Sequence, residues 1–220
     1  MSAYFVTATG TDIGKTFVTA GLIRHLRRLG KPVAALKPLV SGYDEASAAA
    51  SDPGVLLGAL GEAATPEAVA RLAPWRFAAP LSPDMAAARE GRGIDFAALV
   101  GFCRDAAAAR TGTLFIEGVG GIMVPLDGTH TVLDWLAALG LPLIVVAGSY
   151  LGTLSHTLTA LRVVAAAKLD IAALVVNESA DSTVLLEETA AALARFAPDV
   201  PIVALRRGEP DFAALAERLK

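Results

Sequence analysis

The chain has 220 residues, 54% of them hydrophobic, enough to bury one full core, so a single α/β domain spanning residues 1–220 is expected. A formal net charge of −3 gives no basic field for nucleic acid or an anionic membrane, so small molecules or other protein chains are the expected partners. The one cysteine, Cys103, excludes an internal disulfide framework and a Cys-based zinc site and fits a reducing cytoplasm.

In chain order, short β-branched or aliphatic runs recur as YFVTA (4–8), VAAL (33–36), TLFIE (113–117), LPLIVVAG (141–148), IAALVVN (171–177) and PIVAL (201–205). Between them, segments 15–29, 95–109, 154–168 and 182–196 carry apolar residues at three- and four-residue spacing and read as helices. Strand alternating with helix predicts a doubly wound, mostly parallel sheet covered on both faces. Residues 38–94 break this rhythm with PLVSGYDEASAAASDPG, APWRFAAPLSPD and REGRGID, and read as loops joining short helices. Cys103, in LVGFCRDAA, reads as inert core, Trp75 and Trp135 as packing, and His25, His130 and His156, lacking metal-ligand spacing, as structural. There is no basic leader before a long apolar stretch and no window near about 18 uncharged apolar residues, so a cytoplasmic protein is expected.

The first run leads into Ala8-Thr9-Gly10-Thr11-Asp12-Ile13-Gly14-Lys15-Thr16 and then a helical pattern. The usual phosphate loop is Gly, four residues, Gly, Lys, then Ser or Thr. Here Thr9 stands at the first glycine position, so the strict pattern fails. The physical requirements are looser: backbone N–H groups aimed at phosphate, a lysine for the outer phosphates, and a hydroxyl for Mg²⁺. Gly14, Lys15 and Thr16 between a strand and a helix supply all three. Glu117 ends the TLFIE strand ahead of Gly118, Gly120 and Gly121, on the sheet edge where ligands bind, and its carboxylate suits Mg²⁺. Lys37 ends the second strand on that edge, with Ser41 and Gly42 following; it reads as a solvated terminus unless an anionic nucleotide is near. Asp52 on its own reads as a helix N-cap ahead of Pro53.

Together these segments resemble dethiobiotin synthetase, the ATP-dependent ring-forming ligase of biotin biosynthesis, whose loop runs approximately Gly-Thr-Asp-Thr-x-Val-Gly-Lys-Thr. The resemblance continues in order through KPLVSG (37–42), SDP (51–53), LSPD (81–84), EGRGID (90–95), IEGVGG (116–121), PLDGTHTVLDWL (125–136), LGLPLIVVAGSYLGTLSHT (139–157) and LVVNES (174–179). Departures are Ala8 for the loop glycine, Asp12 where Glu is frequent, Asp84 for a common His, Tyr150 for a common Lys and Ser155 for a common Asn; they bear on substrate geometry more than on nucleotide binding.

The resemblance implies a P-loop-type fold and conversion of 7,8-diaminopelargonate and CO₂ to dethiobiotin, with ADP and phosphate released. One amine takes up CO₂ as a carbamate, the carbamate attacks the γ-phosphate of ATP, and the second amine closes the ring on the carbamic-phosphoric anhydride. It also implies that Thr16, Asp52 and Glu117 hold Mg²⁺, and that Lys15 with the amides of Asp12, Ile13, Gly14, Thr16 and Phe17 holds the phosphates. Gly118, Val119 and Gly120 lie along the nucleotide, Asn177 reads adenine, and Glu178, Arg207 and Glu209 lie nearby. Lys37 contacts carbamate and γ-phosphate, while Thr11, Asp12 and Ser41 face the diamine. Gly152, Thr153, Leu154 and Ser155 bind the substrate carboxylate in the partner's pocket of a homodimer. Two other readings stand beside this one. A partitioning-type ATPase switch shares the deviant loop but usually carries an extra early lysine, and a related ATP-dependent ligase or amidase would act on another substrate.

Overall fold

Six of the apolar runs become strands of one parallel sheet: β1 (Ala3–Ala8), β2 (Val33–Leu36), β5 (Thr113–Glu117), β6 (Leu143–Gly148), β7 (Ile171–Asn177) and β8 (Ile202–Leu205), in the order β2-β5-β1-β6-β7-β8. The coordinates are a computed structural model, which describes residues 2–180 and 182–219. Every pairing in the sheet is parallel, and β1 lies between β5 and β6, so connections leave it in both directions. Such a switch point opens a crevice at the carboxyl ends of the strands.

The apolar runs are continuous because both faces are covered. Along β1, Ala3 and Phe5 point to one face, into a core they share with Leu99 and Cys103 of α5 (Phe96–Ala109), Trp135 of α6 (Val132–Leu139), Val164 of α7 (Thr153–Ala166) and Leu193 of α8 (Leu186–Phe196). Tyr4, Val6 and Ala8 point to the other, into a core shared with Val18, Leu22 and Ile23 of α1 (Lys15–Arg28), Leu56 and Leu57 of α2 (Asp52–Leu60), and Phe212 and Leu215 of α9 (Phe212–Glu217). The alternation is the two-residue period of a strand. Trp135 is buried edge-on against Phe5, and burial pushes the Cys103 thiol up to about 12, as the packing readings expected. Trp75 packs edge-on against Phe102, and His130 lies flat on Phe96 with its ring nitrogen on Asp127. On the back of α1, Gly21 lies under the Phe212 ring so closely that an added Cβ would be 1.9 Å from its nearest carbon.

The excursion 38–94 holds more than loops. β3 (Leu39–Ser41) and β4 (Trp75–Phe77) form a parallel pair of their own, beside α3 (Pro66–Leu72) and α4 (Pro83–Arg89). Strands of three residues separated by more than thirty positions carry no readable periodicity. Asp52 is the first residue of α2, not its cap; the cap is Ser51, whose hydroxyl accepts from the Gly54 amide. Helix 95–109 starts one residue later because Asp95 caps it, and helix 182–196 begins only at Leu186. No helix among the described residues is long and apolar enough to cross a membrane.

Candidate active site

Glycine at position 14 lets the chain turn from β1 into α1. Its φ is 105°, a left-handed conformation that disfavours other residues, and Asp12 is also left-handed at φ 56°. No side chain caps α1, and its first turn contains no acidic residue. Its N-terminal N–H groups and partial positive charge therefore face the crevice, which suits an anion. His25, Arg27 and Arg28 in the last turn complement the opposite end.

Beneath this loop the floor is made of buried charges. Glu117 is fully buried at the end of β5, Lys37 is 2% exposed just past β2, and Lys15 is 7% exposed. The Lys37 ammonium donates to Glu117 Oε1 at 2.7 Å and to the Gly118 carbonyl at 2.8 Å, and meets Asp52 Oδ2 at 2.8 Å. Burial alone would lower its pKa, but Glu117 and Asp52 reverse the sign and hold the ammonium charged. Asp52 is its mirror: burial opposes ionisation, and Lys37 with the Thr16 hydroxyl overrides it, so the carboxyl stays below the usual range. Lys15 has no such carboxylate contact. Its ammonium donates to the Gly10 carbonyl at 3.1 Å and the Gly120 carbonyl at 2.7 Å, and burial followed by the charge of Lys37 brings it down to about 8.

Thr16 shows what this floor lacks. Its Oγ1 lies 2.8 Å from Asp52 Oδ1 and 2.7 Å from Glu117 Oε1, yet a hydroxyl has one proton to donate. Glu117 Oε2 is buried with no hydrogen-bond partner among the described residues. The Thr16 hydroxyl and two carboxylates thus converge beside the orphaned Glu117 Oε2, and this fits a cation that takes one or two carboxylates beside phosphate and water. Among the described residues no group of three or more His, Cys, Asp or Glu is placed to hold a metal ion.

A cleft of about 790 Å³ opens over the floor, lined by Thr11, Asp12, Gly14, Lys15, Thr16, Lys37, Ser41, Asp52, Val119 and Gly120 from the sequence reading. Ser41 Oγ is buried and unpartnered among the described residues, which leaves it available to a ligand. The sequence reading does not assign to the cleft Val40, Gly42, Ala50, Ser51, Val124 and the run Pro80–Pro83, which also line it. The SDP and LSPD segments are the available signal: the resemblance includes both, but of their residues it assigns only Asp52 to the site.

Other expected residues fall elsewhere. Glu178 and Arg207 line a separate shallow cavity of about 480 Å³ with Ser179, Ser182 and Gly208, and Glu178 Oε2 accepts the Arg207 amide at 2.7 Å. Glu209 is exposed outside it. Phe17 is 43% exposed and touches Phe212. Asn177 Nδ2 donates to the Ile13 carbonyl at 3.0 Å, from the end of β7. Gly152, Thr153, Leu154 and Ser155 form the head of α7 and line neither cavity. Thr153 is fully engaged within its own chain, through its hydroxyl on the Gly148 carbonyl and its amide on the Tyr150 carbonyl. Tyr150, where a lysine is common, instead meets His156 Nδ1 through its hydroxyl at 2.9 Å.

A sequence profile of the family described as AAA domain matches residues 2–205. The ATP-dependent dethiobiotin synthetase of Acidiphilium cryptum strain JF-5 is 50% identical over 215 residues, covering 97% of this chain and 96% of that protein. The protein of the same name from Caulobacter sp. strain K31 is 51% identical over 222 residues, covering 100% of this chain and 94% of its own length. Among solved structures, the cell division ATPase MinD of Pyrococcus furiosus superposes with a TM-score of 0.59 at 18% identity, covering 100% of this chain and 98% of that one. The MinC:MinD cell division protein complex of Aquifex aeolicus gives 0.60 at 12% identity, covering 100% of this chain and 96% of that one. At these identities the structural likeness establishes the P-loop NTPase fold and nothing finer.

Proposed function

The chain belongs to the ATP-dependent dethiobiotin synthetase family, an enzyme family of ligases in biotin synthesis, and from that premise we propose that it closes the ureido ring of dethiobiotin on 7,8-diaminopelargonate, with CO₂ as carbon source and ATP as activator. In the proposed sequence one amine forms a bond to CO₂ and loses a proton, giving a carbamate. A carbamate oxygen then displaces ADP from the γ-phosphorus. The second amine attacks the carbamate carbon and gives up a proton, phosphate leaves with the oxygen, and the ring closes.

The observation that carries this reading is the pair of buried lysines, Lys15 and Lys37, at one end of a cleft that continues to the unpartnered Ser41 hydroxyl. A carbamate and a triphosphate repel each other, so bringing them into contact requires fixed cations in a site shielded from water. Lys15, on a short leash from the loop, would hold the outer phosphates with the amides of residues 12–17. Lys37 would face the transferring phosphoryl group and the carbamate. Thr16, Asp52 and Glu117 would hold Mg²⁺, which when bound supplies neutralising charge to the phosphate oxygens. Thr11, Asp12 and Ser41 would orient the diamine, with Val40 and Val124 beside its aliphatic chain. No nucleophilic side chain is needed.

The substrate carboxylate is proposed to bind the head of α7 from a second copy of the chain, in a homodimer with shared sites. Support comes from Gly152, left-handed at φ 99°, a helix start with neither a capping side chain nor an acidic residue, and Leu151 and Leu154 exposed beside it. With Thr153 engaged internally, Leu154 and Ser155 would supply the donors. The proposal further includes a cytoplasmic location and a chain that works as one domain. Its test is ADP release with diaminopelargonate and bicarbonate supplied singly and together. Turnover only with both is expected; equal ATPase activity without them would point to a switch, and activity on a different diamine or carboxylate to a related ligase.

A further inference from the structure

Asn177 is the side chain through which the far end of the sheet reaches the phosphate loop. It ends β7, two strands from the loop, yet Nδ2 donates to the Ile13 carbonyl at 3.0 Å across 164 residues of sequence. That carbonyl can only accept, so the amide orientation is fixed by its partner. The same nitrogen packs on Gly14, where an added Cβ would lie 2.4 Å from it. Asn177 therefore touches the loop at the two residues that turn it into α1.

The other side-chain grip on this loop is of a different kind. Lys15 Nζ holds the Gly10 carbonyl, and ties it to the Gly120 carbonyl, with the ammonium that the proposed function assigns to phosphate. Once that ammonium turns to an anion, its hold on the carbonyls weakens. The Asn177 contact uses no group that faces phosphate, so it persists in both conditions. Fixing the Ile13 carbonyl fixes the peptide plane that carries the Gly14 N–H, and with it the turn into α1, before any ligand arrives.

We propose that Asn177 is a positioning residue for the phosphate loop, beyond any contact with the base: it sets the Ile13–Gly14 geometry so that triphosphate binding depends on it even when no base is present. The proposal rests on the nucleotide reading of the cleft given above. One N–H and the Oδ1 of the amide remain for a purine edge, so the two roles are compatible, and a single side chain then couples the base end of the site to its phosphate end.

The test separates them with three ligands, each with Mg²⁺: ATP, tripolyphosphate, which has no base, and adenosine, which has no phosphate. Affinities are measured by calorimetry for the wild-type chain, Asn177→Ala and Asn177→Asp. The Asp variant keeps the volume but sets an acceptor against the Ile13 carbonyl, so it remains informative if the Ala variant folds poorly. Both variants are expected to lose about tenfold or more in tripolyphosphate affinity, the scale of one hydrogen bond. Amides of residues 10–14 should exchange with solvent faster in the ligand-free variants, while global unfolding is unchanged. Tripolyphosphate affinity within about threefold of wild type in both variants, with ATP or adenosine weakened, confines Asn177 to the base and overturns the proposal. Failure of the wild-type chain to bind either ATP or tripolyphosphate would overturn the nucleotide reading itself, and the positioning role with it.

Discussion

The two ends of the proposed nucleotide site are built on opposite terms. At the phosphate end, Lys37, Glu117 and Lys15 are withdrawn from solvent, Thr16 is half-buried, and all four are bonded to one another or to Asp52 and backbone carbonyls. At the base end, Glu178 and Arg207 line an open depression and meet water directly. Charges in a dry, fixed array act at low effective dielectric and need no reorganisation when a ligand arrives; solvated charges are screened and adapt. On the proposed reading, the difference leads us to expect chemistry at the floor and only modest affinity at the rim.

Breaking the floor should therefore have the largest effect. Glu117→Gln removes a carboxylate charge and Thr16→Val a hydroxyl donor, neither with loss of core volume, and steady-state turnover should fall by about 10²–10³ in each. The unfolding transition should stay put in Thr16→Val and fall in Glu117→Gln, where the buried Lys37 ammonium loses a charged partner. Normal turnover in both would mean that the cation is held elsewhere. Lys37→Ala should abolish ring closure while leaving ATP affinity within a few-fold of wild type, since Lys15 and the loop amides remain; equilibrium nucleotide binding beside product formation reads the split. The same variant sharpens the dimer question. Mixed with Gly152→Glu after subunit exchange, it should recover roughly a quarter of wild-type specific activity, because half the dimers are mixed and each of those has one intact pocket. No recovery, with exchange verified by native mass spectrometry, would place each site within one chain.

At the rim, Arg207→Ala should raise the KM for ATP by no more than about fivefold, the range of an exposed charge, with kcat unaltered. A loss comparable to Lys37→Ala would show that the depression closes over the ligand. The smallest effect belongs to the core. With its pKa pushed up to about 12 by burial, the Cys103 thiol stays protonated at neutral and mildly alkaline pH, so iodoacetamide at pH 8 should leave it unmodified in the folded chain and alkylate it once urea unfolds the protein.

The same contrast decides what could be read in advance. Gly14-Lys15-Thr16 was legible because its chemistry is local: a strand, a tight turn and a helix start within a dozen residues. The six strands were legible because burial on both faces makes their runs continuously apolar. That Lys37, Asp52 and Glu117 share one floor depends instead on β2 lying beside β5, a consequence of topology that no single segment carries; the family resemblance supplied it. The β3–β4 pair was not legible, since three-residue strands leave no pattern and their partner is set by the packing of α2, α3 and α4. Asp52 was misplaced by one position because Ser and Asp cap helices equally well, and only the Ser51 hydroxyl reaches the Gly54 amide. At the base end, Asn177 is assigned to adenine by the resemblance alone, and nothing near it in sequence announces Ile13.

Gly21 and Phe212 lie nearly two hundred positions apart, but they form a single hereditary unit. The ring fills the place where a side chain at position 21 would be, so a lineage can enlarge residue 21 only after residue 212 has shrunk, and the reverse order passes through a damaged intermediate. Across descendants of this chain the two positions should change together, with any bulk gained on the back of the phosphate-loop helix matched by bulk given up near the C-terminus.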